Sequence, residues 1–235
     1  MYELGQGVDQ DVKKAIEWYE KSAEQGHEKA QFNLGVMYDK GRGVDRDYKK
    51  AKELYEKAAA QGVIEADHGL GAIYYAGGFG VEQDFKKAKE LWTKGAEQGF
   101  VGALHGLGNL YFEGKGVDLD YEKAREWYEK AAEQLSPMAQ YAVGALYANG
   151  QGVERDDTVA EEWLEKAAAQ GFEHAQPMID EMKRRAALEA EAAATAEAAA
   201  KAAAAAAAAS GEEGYIREDG KLVIGVIEGE GVYGC

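Results

Sequence analysis

The chain has 235 residues and a net charge of −16, from 27 basic and 43 acidic side chains. So acidic a surface repels phosphate, which argues against non-specific nucleic-acid binding and against anionic membranes. The one cysteine is the last residue, Cys235, so an internal disulfide framework and a cysteine-based metal cluster are both excluded.

From the N-terminus, Met1-Tyr2-Glu3-Leu4-Gly5-Gln6-Gly7-Val8 aligns with Met37 to Val44. The chain is therefore expected to open inside a first helix whose front half is missing. No signal peptide is visible. One unit then recurs at steps of 36 or 37 residues. Gln-Gly stands at Gln25-Gly26, Gln61-Gly62, Gln98-Gly99 and Gln170-Gly171, with Gln134-Leu135 in the remaining slot. Tyr2, Tyr38, Tyr74, Tyr111 and Tyr147 form a second column. A Gly-x-Gly-Val turn recurs at Gly5, Gly41, Gly114 and Gly150, and the third copy, Gly77-Gly78-Phe79-Gly80-Val81, carries one extra residue.

Each unit predicts two helices. The first carries Ala, then Leu or Val followed by Gly, then Tyr, as in Ala30/Leu34/Gly35/Tyr38 and Ala103/Leu107/Gly108/Tyr111. Spacings of four and three keep these residues on one helical face. The Gly-x-Gly turn ends that helix, because glycine reaches positive φ without a Cβ clash. Asp11, Asp47, Asp84, Asp120 and Asp156 follow as N-caps of the second helix. That helix carries Ala51/Leu54/Tyr55/Ala58 and its counterparts, such as Ala124/Trp127/Tyr128/Ala131. One such pair cannot bury its apolar face alone, whereas stacked pairs can. The expected fold is all-α: a right-handed α/α superhelical solenoid with a concave face.

The pattern Ala-x-x-x-Leu-Gly-x-x-Tyr-x-x-Gly-x-Gly-Val, then Asp-x-x-x-Ala, Trp-Tyr, Lys-Ala-Ala and Gln-Gly, resembles the Sel1-like repeat, a relative of the tetratricopeptide repeat. The resemblance covers roughly residues 1–183 in five copies. The fourth departs from it, with Leu135-Ser136-Pro137 in place of the glycine linker. The resemblance implies a non-enzymatic scaffold or adaptor that binds other proteins, chiefly in bacterial envelope or signalling systems, in the periplasm or the cytoplasm. It implies no catalytic residues and no cofactor.

Beyond the repeats, Ala175 and Ile179 begin a sixth first helix. Asp180 and Lys183 stand where the glycine and tyrosine columns would continue, as suits a terminal capping helix. An alanine-rich helix runs on to about Ala209. Leu188 is its only large apolar residue and Glu189, Glu191, Glu197 and Lys201 interrupt it, so it reads as a helical spacer rather than a membrane span. After Ser210, Tyr215 to Glu218 and Lys221 to Ile224 read as a hairpin around a type I′ Asp219-Gly220 turn, with a third strand near Val232-Tyr233. The expected divisions are 1–183 for the solenoid, 184–210 for the spacer and 211–235 for the glycine-rich tail.

Catalytic chemistry is thinly supplied. Ser22 occupies a small-residue column, and Ser136 and Ser210 lie in linkers, so no nucleophile elbow is present. Gly229-x-Gly231-x-x-Gly234 matches a dinucleotide fingerprint by letter, but the helix it would have to open is missing from the sequence. The Gly-x-Gly loops lack the Lys-Ser or Lys-Thr of a phosphate cradle. By analogy with tetratricopeptide repeats, Phe32, His68, His105 and Tyr141 face the concave groove. Tyr75, Asn109 and Phe112 lie in neighbouring columns, and Tyr75 and Phe112 read equally well as packing between repeats. Rings supply apolar area to an extended or helical peptide, and an amide can meet its backbone. His68 and His105 sit too far apart, on separate helices, to share a metal without further ligands. Two other readings remain open. One is self-association through the open first repeat, the tail or Cys235. The other is a pH-responsive regulator in which His68 and His105 gain charge on acidification.

Overall fold

A computed structural model describes residues 12–210, 213–216 and 222–225. Nine helices of 13 residues come first: α1 (Val12–Glu24), α2 (Glu28–Lys40), α3 (Tyr48–Ala60), α4 (Ile64–Ala76), α5 (Phe85–Glu97), α6 (Val101–Glu113), α7 (Tyr121–Glu133), α8 (Pro137–Asn149) and α9 (Asp157–Ala169). The even-numbered ones are the first helices of their repeats. The 36-residue α10 (Ala175–Ser210) follows, then strands β1 (Glu213–Ile216) and β2 (Leu222–Gly225). Chain contacts divide the molecule inside α10, between Met178 and Ile179.

The caps follow the expected chemistry. Asp47, Asp84 and Asp120 accept the amides of Lys50, Lys87 and Lys123 at 3.1, 3.0 and 2.9 Å, and Asp156 accepts those of Thr158 and Val159. Each supplies an acceptor to an otherwise orphaned helical N–H. Asp11 and the opening half-repeat lie outside the described residues. Gly41, Gly114 and Gly150 end their helices in the left-handed region, with φ of 66°, 65° and 63°. The inserted residue of the third turn changes its shape: Gly78 and Val81 form a two-residue bridge, and Phe79 takes a φ of 47°.

The tyrosine column fastens the turns. The carbonyls of Tyr38, Tyr74, Tyr111 and Tyr147 accept the amides of Asp47, Asp84, Asp120 and Asp156 at 2.8–3.1 Å. Lysines stack on the rings from two repeats at once. Lys52 and Lys87 lie 6.0 and 5.0 Å from the Tyr74 ring, and Lys89 and Lys123 lie 5.9 and 5.7 Å from that of Tyr111. The lysine runs of the second helices are thus partly engaged as inter-repeat cation–π contacts.

Packing within residues 12–178 runs from each helix to the next. The first helices also approach one another, α2 with α4 and α4 with α6. In a curved stack the helices on the inside of the curve are the ones that come together, so these line the concave side. Alanines allow the close approach: Ala51, Ala58, Ala88, Ala103, Ala124, Ala139, Ala160 and Ala167 are fully buried. Tyr55, Trp92 and Tyr128 from successive second helices fill the space between first helices. Tyr55 lies against Gly35 of its own repeat and Gly69 of the next, where an added Cβ would come within 2.8 and 2.7 Å of the ring.

In the fourth repeat Leu135 replaces the glycine that follows the second helix elsewhere, yet it keeps the same left-handed conformation, at φ 62°. Ser136 then caps α8 through the Ala139 amide and Pro137 takes the first turn, where its missing N–H costs nothing. The linker sequence changes while the turn is retained.

In α10, Asp180, Lys183 and Leu188 are all exposed. No described helix is long and apolar enough to cross a membrane. β1 and β2 pair antiparallel with Ile216 opposite Leu222. A two-residue Asp219-Gly220 turn would set Ile216 opposite Val223, so the register is one residue away from the expected type I′ hairpin. The turn and the Val232-Tyr233 segment lie outside the described residues.

Candidate partner-binding groove

The column on the first helices repeats one contact. Phe32, His68 and His105 each set a ring against the ring that their own second helix sends inward. The centroid distances are 5.7 Å to Tyr55, 6.1 Å to Trp92 and 5.3 Å to Tyr128. The fifth repeat has Leu164 in that inner position. Tyr141 instead meets Phe172 at 5.2 Å and His174 at 6.5 Å. All four column residues are half-buried.

The neighbouring residues are half-buried as well, and more engaged. Tyr75 packs on Phe85 and Trp92 at 5.6 and 5.5 Å, and Phe112 packs edge-on against Tyr121 at 5.3 Å. The Tyr75 hydroxyl donates to the Glu113 carboxylate and accepts from Lys115 Nζ at 3.2 Å, while Lys115 reaches Glu113 at 2.5 Å. Burial, then the bond to Glu113, raises the Tyr75 phenol. Burial would raise Glu113 too, but the hydrogen bonds from Lys115 and Tyr75 outweigh it and hold the carboxyl below its ordinary range. Asn109 accepts from the Tyr128 hydroxyl at 2.7 Å through Oδ1, and its Nδ2 lies 3.4 Å from His105 Nδ1. Its carbonyl oxygen is therefore committed to the wall, and its amide nitrogen lies towards the His105 ring.

Between α2 and α4 an open cleft of about 420 Å³ is lined by Glu28, Lys29, Phe32, Asn33, Gln61, Gly62, Val63 and Glu65. The glutamine column builds its wall. Gln61 Nε2 donates to Gln31 Oε1 at 2.8 Å, and the buried Gln31 donates on to the Ala23 carbonyl at 3.2 Å. Gln170 and Gln140 repeat the bond at 2.8 Å. Sequence reading found the glutamines but not this partner, although the matching column Gln31, Asp67, Leu104, Gln140 carried the signal. Asp67 replaces the buried amide with a carboxylate held by Lys94 at 2.6 Å.

Burial lowers the pKa of His68 to about 4, with smaller contributions from His105 and Lys40 and an opposing one from Asp39. Burial lowers His105 as well. His68 Nδ1 is buried with no hydrogen-bond partner among the described residues, as fits a neutral ring. The pH-responsive reading gains no support, since burial disfavours the charged form of both rings. The folded pKa lies below the unfolded value of about 6.5, so the unfolded chain binds the proton first. The stability that His68 contributes is complete above pH 6.5 and is lost as pH falls from 6.5 towards 4, up to about 3 kcal/mol. Replacing His68 by Phe, the residue of the second repeat at this column, should flatten that part of the acid limb. Thermal melts of both forms from pH 7 to pH 4.5 check it, and parallel curves would refute it. Among the described residues no cluster of three or more His, Cys, Asp or Glu is placed to hold a metal.

Stacked helical hairpins with aspartate-capped second helices, and with Tyr55, Trp92 and Tyr128 set between successive first helices, define an α-solenoid of the tetratricopeptide kind. The Sel1 repeat pattern matches residues 1–27, 28–63, 64–100, 101–134 and 137–172, and the chain belongs to the Sel1 repeat family. Proteins of this family are generally non-catalytic scaffolds for protein interactions. Among solved structures, the chain is 39% identical to c5321, a protective antigen of uropathogenic Escherichia coli with this fold. That match has a TM-score of 0.66 and covers 77% of this chain and 38% of the antigen, so the chain spans well under half of that protein's length. A Sel1 repeat protein from Oxalobacter formigenes is 36% identical over 74% of this chain and 71% of its own, with a TM-score of 0.67. The immunity protein Pa5087 from Pseudomonas aeruginosa is 29% identical over 68% and 59%, with a TM-score of 0.50. No curated protein sequence matches the chain.

Proposed function

We propose that the chain is an interaction scaffold whose groove, lined by α2, α4, α6 and α8, holds a segment of a partner protein. The observation that carries this is the row Phe32, His68, His105 and Tyr141, all half-buried at one position of the repeat, with Phe32 lining the cleft. Tyr75, Asn109 and Phe112 extend the same face. Partly exposed rings on a rigid backing give apolar contact at little entropic cost, which is what interface anchors require. The likeness to a Pseudomonas aeruginosa immunity protein is consistent with a protein as the ligand. The solenoid of residues 1–183 is the binding unit in this reading, 184–210 a helical spacer and 211–235 a separate tail.

The test uses random 12-residue peptides displayed on phage and panned against the full chain. The tightest peptide is then titrated against the parent and against Phe32→Ala/Tyr75→Ala/Phe112→Ala/Tyr141→Ala. Affinity should fall more than a hundredfold, with circular dichroism confirming the helical fold. A second variant, Phe32→Ala/Tyr141→Ala, spares the residues packed on Trp92 and Tyr121 and should still cost at least tenfold. Unchanged affinity in both removes the groove assignment.

A further inference from the structure

The cleft between α2 and α4 has counterparts further along. Its lining residues Lys29, Gly62 and Glu65 correspond, two repeats on, to Gly102, Leu135 and Met138. One repeat further, Val63 and Glu65 become Phe172 and His174. The same face is therefore charged at the first junction and apolar over the last two. Leu135 is 69% exposed and Met138 48% exposed, the two large apolar side chains left open on this face. Tyr141, Phe172 and His174 close the far end as a ring cluster.

A second observation points the same way. The position after the second helix is glycine in the other four repeats, at φ between 75° and 88°, and Leu135 adopts this region with a Cβ. A leucine gains nothing for the fold there: its backbone is strained and its side chain stays in solvent. Strain held in place without benefit to folding marks positions used for something else. Resting on the groove reading above, we infer that the stretch lined by Leu135, Met138, Tyr141 and Phe172 is where the partner is anchored. The segment it takes carries a bulky aliphatic or aromatic side chain next to lysine or arginine. The charge follows from the rim. Glu133 and Glu173 are exposed beside Leu135 and Phe172, on a chain of net charge −16. The lysine one turn before Glu133, Lys130, is drawn aside onto Trp127 at 4.3 Å.

The same panned library decides it. Enriched peptides should share an apolar anchor adjacent to Lys or Arg. Leu135→Gly should weaken the tightest peptide at least tenfold while the melting temperature stays level or rises, because glycine relieves the strained turn. Loss of binding without loss of stability separates an anchor from a folding defect. Met138→Gln should weaken it similarly, and Glu133→Lys/Glu173→Lys should cost a basic-flanked peptide three- to tenfold. Glu126→Ala/Glu162→Ala, exposed on α7 and α9 away from the first helices, should stay within twofold. Acidic or uniformly polar winners, no enrichment, or indifference to Leu135→Gly and Met138→Gln would each overturn the proposal. If the four-ring variant loses binding while these two do not, the groove stands and only the anchor falls. A mass that rises with concentration in light scattering, returns to monomer in Leu135→Gly, and comes with no enriched peptide would give the site to a second copy instead.

Discussion

Replacing Trp92 by alanine should destabilise the solenoid by about 4 kcal/mol, as for large buried rings in general. The ring is 3% exposed and its Nε1–H donates to the His68 carbonyl at 3.2 Å. It is wedged between two helices at positions without side chains. A Cβ added at Gly71 would meet Nε1 and approach Cδ1 to 2.7 Å, and one added at Gly106 would approach Cδ2 to 2.6 Å. The ring cannot retreat from one glycine without striking the other. Gly71→Ala should therefore cost about 2 kcal/mol or more through overpacking, although alanine favours a helix interior by roughly 1 kcal/mol. In the Trp92→Ala background the clash is gone, and the same Gly71→Ala change should turn stabilising. Urea unfolding of the four forms measures the coupling. Additive costs would mean that the glycine serves something other than the ring.

The second large effect concerns the Asp67–Lys94 pair. The Asp67 side chain is 7% exposed and the Lys94 side chain 55%. Lys94→Met leaves a carboxylate buried without its cation and should cost about 2 kcal/mol, below the usual range for broken buried pairs because the lysine reaches solvent. Asp67→Leu/Lys94→Met puts at this position the leucine that Leu104 already supplies one repeat later, and should return to within about 1 kcal/mol of the parent. Thermal and urea unfolding of the three forms check the pattern. A double variant as weak as the single one would show that the charge is required here.

The helices, turns and caps were legible because each depends on local chemistry repeated five times. An aspartate three residues before a free amide, or a glycine where φ must be positive, means the same thing in every copy. The groove column was legible as a register, since Phe32, His68, His105 and Tyr141 share one position in the repeat. What each side chain does there was not legible. That Asn109 spends its carbonyl oxygen on Tyr128 depends on a ring 19 residues away, and nothing in the spacing reports it. The low pKa of His68 is likewise a matter of enclosure by Trp92 and Phe100, which a column of letters does not contain. Leu135 stood out only as a missing glycine. Its retained left-handed backbone and open side chain became visible with coordinates, and they turn a lapse in the pattern into a candidate contact.

The wedged rings also bear on how such an array changes over generations. The ring comes from one repeat and half of its socket from the next, so a hairpin is not a self-contained part. The socket column reads Asn33, Gly69, Gly106 and Ala142. A copy of the second repeat inserted after the third would set Asn33 against Trp92, where a Cβ does not fit. A copy of the fourth would bring its own glycine and be received. The repeats look interchangeable by their shared letters, yet their order is written into the junctions, and duplication can lengthen this chain at some seams and not at others.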